Sequence, residues 1–172
     1  MTINATAEVQ QEVTGCDGVA GKYLTFNLGS ELYGFEILKV QEIIKAAAVT
    51  RIPRTPDFVR GVINLRGKVI PVTDLRLKFG LESQEDTDRT CIIVVQVAGE
   101  NGPVTTGILV DEVSEVLDIT SEEIEPPPSF GAHVDTGFIL GMGKVDERVI
   151  SLLDIDQVIS SDEMASLDKI NN

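Results

Sequence analysis

Hydrophobic residues along this chain recur mostly at the spacing of β-strands. Residues 23–28 alternate between apolar and more polar positions, and a period of two is typical of a strand. Residues 91–95 form a continuous run rich in β-branched side chains, which is typical of a strand buried on both faces. Short strands at close spacing, with glycine and proline between them, predict a mainly β protein of the barrel or sandwich class.

Helical signals are few. Residues 37–44 predict a helical turn that leads into a strand, and the three prolines at 126–128 exclude a helix there. Residues 1–21 show no period, and we expect a flexible arm. Residues 160–172 predict a C-terminal helix and tail: Ser160 and Glu163 form a capping box, and Met164, Leu167 and Ile170 form an apolar stripe. That stripe is either a docking face for the protein's own body or a partner site.

The chain also contains an internal duplication. Residues 34–44 align with 107–117 at an offset of 73, residues 61–69 with 137–145 at 76, and residues 69–75 with 149–155 at 80. Three matches in one order predict two similar β units, roughly residues 22–81 and 88–159. Because units of this size are marginal alone, we expect them to share an apolar interface.

Each matched segment predicts a β-hairpin with a glycine turn, followed by a short helix capped by Thr73 or Asp74 in the first copy. The change of offset predicts a hairpin four residues longer in the second copy, at Val145 to Arg148. On this alignment Arg66, at the first hairpin tip, corresponds to Met142. The duplicated fold then needs no guanidinium at that place, which favours an interface role for Arg66.

Charge narrows the choice of partners. The chain carries 14 basic and 28 acidic residues, a net charge of −14. An acidic surface repels phosphate, so neither nucleic acid nor direct membrane insertion is expected, and no stretch approaches 18 apolar residues. Residues 51–78, by contrast, hold seven basic and two acidic side chains. This region either balances nearby carboxylates or docks an acidic protein segment.

Candidate chemistry is sparse. The one histidine, His133, excludes a two-histidine metal site, and neither a phosphate-binding loop nor a dinucleotide fingerprint is present. The two cysteines are 75 residues apart, which is neither a disulfide framework nor a zinc pattern, and the N-terminus lacks the features of a secretory signal. We therefore expect a cytoplasmic, non-catalytic protein without metal or cofactor. A hydrolase or ligand-binding enzyme that uses His133 is the alternative.

Several motifs carry a family resemblance. The sequence resembles the CheW family of chemotaxis coupling proteins in residues 34–43 (GFEILKVQEI), 50–56 (TRIPRTP), 61–67 (GVINLRG) and 72–76 (VTDLR). Residues 107–113 (GILVDEV) and the proline segment after Ile124 agree with it. The likeness runs from about Lys22 to Ser161.

The resemblance implies a fold and a function. The fold is two packed, five-stranded SH3-like β-barrels with short helices, in a CheW-like domain over residues 22–161. The first barrel spans about 22–87 and the second about 88–159. The function is a non-catalytic adaptor that couples transmembrane chemoreceptors to the histidine kinase CheA. Its partners are the cytoplasmic receptor tips and the CheA regulatory domain, in the cytoplasm and recruited to membrane receptor arrays.

The resemblance also assigns site residues. Receptor-binding positions are Val40, Glu42, Gly61, Arg66 and Val116. A kinase-binding surface is expected around Phe130, although Glu125 stands where some relatives carry a basic residue. From the residues alone, Val40 and Val116 fit core packing equally well, and Gly61 fits a turn or a close backbone approach better than direct contact. Glu42 and Arg66 are the stronger candidates for surface roles.

Overall fold

The computed structural model describes residues 16–46, 49–82, 85–99, 101–127 and 137–159. Its strands are β1 (Gly21–Leu28), β2 (Glu31–Glu36), β3 (Val40–Lys45), β4 (Val59–Leu65), β5 (Lys68–Asp74), β6 (Cys91–Gly99), β7 (Gly102–Val110), β8 (Glu112–Ile119), β9 (Ile124–Glu125), β10 (Ile139–Val145) and β11 (Arg148–Leu153). The helices are α1 (Cys16–Val19), α2 (Leu75–Lys78) and α3 (Ile155–Val158), and 3₁₀ turns occupy Ile37–Lys39 and Ser121–Glu123.

The strands form two sheets, which confirms the mainly β class. One sheet has the order β8-β1-β2-β11-β10-β9 and the other the order β3-β6-β7-β5-β4. The chain after β3 returns to β4, where Thr50 and Val62 exchange backbone hydrogen bonds of 2.9 and 2.8 Å. In the same way β9, which follows β8, pairs with β10. Each sheet thereby joins its two edges and curls into a barrel.

The two sequence copies exchange hairpins between the sheets. The β1–β2 hairpin of the first copy lies beside β8 and β11 of the second, and the β6–β7 hairpin of the second lies beside β3 and β5 of the first. Gly34 pairs with Leu152 and Gly107 with Val72, so the two pairings are equivalent at an offset of 73 for the glycines and 80 for their partners. The predicted barrel boundaries, residues 22–87 and 88–159, follow the sequence copies rather than the sheets, and they stay a prediction.

Apolar packing follows the same arrangement. The largest core draws side chains from both sheets, including Phe26 and Phe35 from one and Ile93 and Ile108 from the other. Smaller cores lie on the opposite face of each sheet, one around Ile92 and the other around Ile150. Strand β6 is therefore buried on both faces, as its continuous apolar run predicts. The shared apolar interface expected of two marginal units is the central core.

The second hairpin is not longer than the first, so that prediction is wrong. Leu65 pairs with Lys68 and Val145 with Arg148, and each hairpin turns through two residues. Because the offset is 80 along the whole hairpin, the counterpart of Arg66 is Asp146 and not Met142. Val62 and Met142 are equivalent instead, since each pairs with the segment that closes its barrel. The alignment at an offset of 76 matched Gly61 with Gly137, whereas the strand pairing makes Gly141 the counterpart of Gly61.

Short helices follow both hairpins. The Asp74 carboxylate accepts hydrogen bonds from the backbone N–H groups of Arg76 and Leu77, which confirms the predicted cap. Asp154 caps the second helix by accepting from the N–H of Asp156. At the N-terminus, the predicted arm of residues 1–21 ends sooner than expected, because Cys16–Val19 form a helix and Gly21 begins β1. Residues 1–15 and the predicted helix at 160–172 lie outside the described residues.

Candidate functional site

Two of the predicted site residues form an ion pair at the surface of the five-stranded sheet. Arg66 Nη1 donates to Glu42 Oε2 at 2.5 Å, and Arg66 Nη2 donates to Glu42 Oε1 at 2.9 Å. The Arg66 side chain is 75% exposed and the Glu42 side chain 25%. This hydrogen bonding raises the pKa of the Arg66 guanidinium. The bidentate geometry fixes the planar guanidinium while leaving most of it open to a partner.

The hairpin turn between β4 and β5 presents Arg66. Arg66 and Gly67 have φ angles of 54° and 84°, which is the backbone of a two-residue type I′ turn. The Asn64 side-chain oxygen accepts a hydrogen bond of 2.8 Å from the Gly67 N–H and closes the turn. Arginine pays a steric cost in the left-handed region, so the turn itself does not favour this residue.

Val40 and Gly61 lie in the same sheet but are less open. Val40 begins β3 and packs, half-buried, against the central core. Gly61 is buried in β4 with φ 143°, and a Cβ there would lie 2.1 Å from the Thr50 carbonyl oxygen. The close approach of Thr50 therefore accounts for Gly61, because no side chain fits between the two backbones.

Val116 lies in the other sheet. It is 48% exposed on β8 and pairs with Leu24 of β1. At the offset of 73 its counterpart is Ile43, which is 42% exposed on β3. The structure thus brings Glu42 and Arg66 together, whereas Val116 lies on the other barrel at the place equivalent to Ile43.

The second barrel carries a related ion pair that the sequence did not reveal. Glu115, the counterpart of Glu42, lies 3.5 Å from Arg148 in the β10–β11 hairpin. Exposed valines accompany each pair at equivalent hairpin positions: Val69 is 45% exposed and Val149 is 55% exposed. Strand periodicity could have placed these side chains on the outer face, but only the correct offset shows that they are equivalent.

Two arginines of the basic region at residues 51–78 bind carboxylates within the protein. Arg60 bonds to Asp74 at 3.0 Å and to Asp86 at 2.9 Å. Arg76 Nη1 donates to Asp111 Oδ2 at 2.5 Å, and the Gly29 N–H donates to the same oxygen at 2.7 Å. Of the two readings of this region, intramolecular balancing accounts for Arg60 and Arg76, whereas Arg66 combines an ion pair with high exposure.

Two remaining candidates lie outside the described residues: Phe130, the predicted kinase contact, and His133, the alternative catalytic residue. In the described ranges, no group of three or more histidine, cysteine or carboxylate side chains is placed to hold a metal ion. No helix in the described part of the chain has the length and hydrophobicity to cross a membrane.

These features define a class: a double β-barrel protein whose candidate site is an exposed ion-paired hairpin. The family model for the CheW-like domain matches residues 22–163. The chain therefore belongs to the CheW-like domain family.

Individual relatives agree with the family match. The chain is 44% identical over 152 residues to the chemotaxis protein CheW of Klebsiella aerogenes, covering 88% of this chain and 89% of the relative. It is 33% identical over 141 residues to the chemotaxis protein CheW of Helicobacter pylori, covering 82% of each. The crystal structure of scaffolding protein TtCheW from Thermoanaerobacter tengcongensis superposes with a TM-score of 0.73 at 38% identity, covering 84% of this chain and 95% of that one.

Proposed function

We propose that this protein is a non-catalytic chemotaxis scaffold that couples transmembrane chemoreceptors to the histidine kinase CheA. It binds receptor cytoplasmic tips and the kinase regulatory domain, and it is recruited from the cytoplasm to receptor arrays. Support comes from the family membership and from relatives named as chemotaxis and scaffolding proteins. The resemblance of its motifs to coupling proteins supports the finer assignment of receptors and kinase.

The Glu42–Arg66 pair is the observation that carries the proposal. A guanidinium held by two hydrogen bonds and 75% exposed loses little conformational freedom when a partner binds. Its remaining N–H groups can donate to carboxylate or carbonyl oxygens of a receptor segment. Arginine at the centre of such a contact is frequently a major contributor to binding energy.

The other assigned residues take different parts. Val116 offers an exposed apolar contact on the second barrel, whereas Val40 and Gly61 support the receptor surface mainly through packing and backbone geometry. The kinase contact around Phe130 stays part of the proposal and rests on the family resemblance alone.

Reconstitution tests the coupling function. A receptor cytoplasmic fragment and CheA are mixed with the purified chain, and kinase activity and co-sedimentation are measured. We expect the chain to join both partners and to place the kinase under receptor control. If pure, folded protein retains neither the receptor fragment nor CheA, the adaptor proposal fails.

A matched pair of valines tests the receptor surface within this assay. Val116 and Val149 are similarly exposed, at 48% and 55%, and both lie on the second barrel. We expect Val116→Ser to weaken receptor binding and Val149→Ser to leave it within about twofold, because exposed substitutions outside a contact are nearly neutral. Equal binding by the two variants would remove Val116 from the site.

A further inference from the structure

An apolar groove of about 620 Å³ lies beside the central core, and neither Glu42 nor Arg66 lines it. Its lining includes Tyr33, Phe79, Phe138, Leu153 and Val158, which come from β2, β11, α3 and the segments after α2 and before β10. The volume is within the range of roughly 300–1,000 Å³ for sites that enclose a ligand. An apolar recess of this size exposed to water favours an occupant.

Aromatic rings form the floor of this groove. The rings of Tyr33 and Phe79 are 5.6 Å apart between centroids, and those of Phe79 and Phe138 are also 5.6 Å apart. Leu81, which also lines the groove, is 38% exposed. The Tyr33 side chain is half-buried. The groove therefore fits aliphatic side chains better than a charged ligand.

The described part of the chain ends next to this groove. Val158 lines the groove, and Ile159, which follows it, is 3% exposed. Thirteen residues follow Ile159, 160–172, so this segment is attached one residue after the groove-lining Val158. Attachment at that point gives the segment a high effective concentration at the groove, so a modest apolar contact suffices to hold it.

The sequence of this segment matches the groove. Met164, Leu167 and Ile170 recur at a spacing of three, which places them along one side of a helix. A helix rises about 1.5 Å per residue, so the stripe spans about 9 Å. Lys78, whose ammonium lies 4.7 Å from the centroid of the Phe58 ring, also lines the groove. The segment carries three acidic residues and one basic residue, Lys169. Its apolar stripe and its net negative charge therefore both suit the groove.

We propose that residues 160–172 dock onto this groove as an amphipathic helix, with Leu167 at the centre of the contact. The helix covers Tyr33, Phe79 and Phe138 and ties α3 to the segment after α2. This contact lies within one chain and needs neither receptor nor kinase, so its test is independent of the coupling function.

Two single substitutions in the full-length protein test the contact. Leu167→Asp puts a charge at the centre of the stripe, and Ala165→Asp puts the same charge about 160° away on the helix. NMR signals of Tyr33, Phe79 and Phe138 and the thermal unfolding midpoint are measured for both. We expect Leu167→Asp to shift the three ring signals and to lower the midpoint by about 3–8 °C. Ala165→Asp leaves both close to wild type.

Further outcomes separate the other occupants. Leu167→Ala, a milder change, shifts the same ring signals by a smaller amount if the proposal is right. Identical ring signals in Leu167→Asp and Ala165→Asp overturn it. If the wild-type signals depend on protein concentration and Leu167→Asp abolishes a dimer, the occupant is a second copy. If they respond to an added receptor fragment but not to Leu167→Asp, the groove is a partner site.

Discussion

Arg66 and Asp146 occupy the same position in the two copies of the β-hairpin, yet their side chains carry opposite charges. Both begin a two-residue turn with a left-handed backbone, at φ 54° and 51°. Aspartate is among the residues that adopt this conformation most readily, whereas arginine does so at a cost. Because the hairpin folds with either residue, the guanidinium of Arg66 is explained by what it contacts and not by the turn.

Arg66→Ala is expected to weaken receptor binding without destabilising the fold. The side chain is 75% exposed, and exposed ion pairs contribute at most about 1 kcal/mol. We expect receptor binding to weaken by roughly tenfold or more while the free energy of unfolding changes by less than about 1 kcal/mol. Isothermal titration with a receptor fragment and urea unfolding measure the two quantities.

Arg148→Ala provides the matched control for that prediction. Arg148 pairs with Glu115 on the second barrel as Arg66 pairs with Glu42 on the first. We expect this variant to bind the receptor fragment within about twofold of wild type, as a surface change outside the contact. A large loss of stability in Arg66→Ala, or equal losses of binding in both variants, would contradict a specific role for Arg66.

Gly61→Ala should destabilise the protein through the backbone. The added Cβ would lie 2.1 Å from the Thr50 oxygen, so the Thr50–Val62 bridge that closes the barrel must open or shift. We expect a loss of about 2–4 kcal/mol of unfolding free energy, measured by urea denaturation. Gly67→Ala is the comparison. The φ angle of Gly67 is 84°, but nothing lies within 4 Å of a Cβ added there, so a loss of about 1 kcal/mol of unfolding free energy is expected. Similar losses would argue against the close approach as the cause.

Asp74→Asn should cost more than Asp154→Asn, although both aspartates cap the helix after a hairpin. The Asp74 side chain is 3% exposed and bonds to Arg60 at 3.0 Å. Replacing the Asp74 carboxylate with a neutral amide removes a negative charge from beside the half-buried Arg60 guanidinium. We expect a loss of about 2–3 kcal/mol. Asparagine still caps at position 154, where about 0.5 kcal/mol is expected. Equal midpoints in urea for the two variants would show that the Arg60 pair contributes nothing.

Because Tyr23 is buried, we expect the folded protein to lose stability at alkaline pH. The Tyr23 side chain is buried, and its hydroxyl donates to the Val19 carbonyl at 2.6 Å. Burial, followed by the charge of Glu36, raises the pKa of Tyr23 above the ordinary value of 10.0. The folded protein therefore keeps this proton where the unfolded chain releases it, and stability falls as the pH rises above about 10.

Tyr23→Phe is the variant that tests this dependence. It removes the ionisable group, so the fall in unfolding free energy between pH 9 and pH 11 should become shallower than in wild type. The variant should also lose about 1 kcal/mol at pH 7 with the hydrogen bond to Val19. If the unfolding free energy of the variant falls between pH 9 and pH 11 as steeply as that of wild type, groups other than Tyr23 dominate the pH response.

Local features of the fold were largely predictable. The alternation at residues 23–28, the apolar run at 91–95 and the aspartate cap at Asp74 each depend on neighbouring residues, so β1, β6 and α2 follow from the sequence. The exchange of hairpins between sheets could not be predicted, because pairing between strands that lie 35 to 118 residues apart leaves no local signal in the sequence. The offset of 80 along the whole hairpin was also not predicted, because matching glycines favoured the incorrect alignment at an offset of 76.

Strand content, the presence of two copies and the family could be inferred from the sequence alone, which also named Glu42 and Arg66 as candidates for surface roles. These depend on side-chain chemistry and periodicity, which the chain carries locally. The three-dimensional fold was needed to show that Glu42 and Arg66 contact each other, that Gly61 faces the Thr50 backbone, and that Asp146 is the true counterpart of Arg66. Those relationships arise where the barrels close and distant segments meet, and pairing geometry there is set by the packing of the whole core.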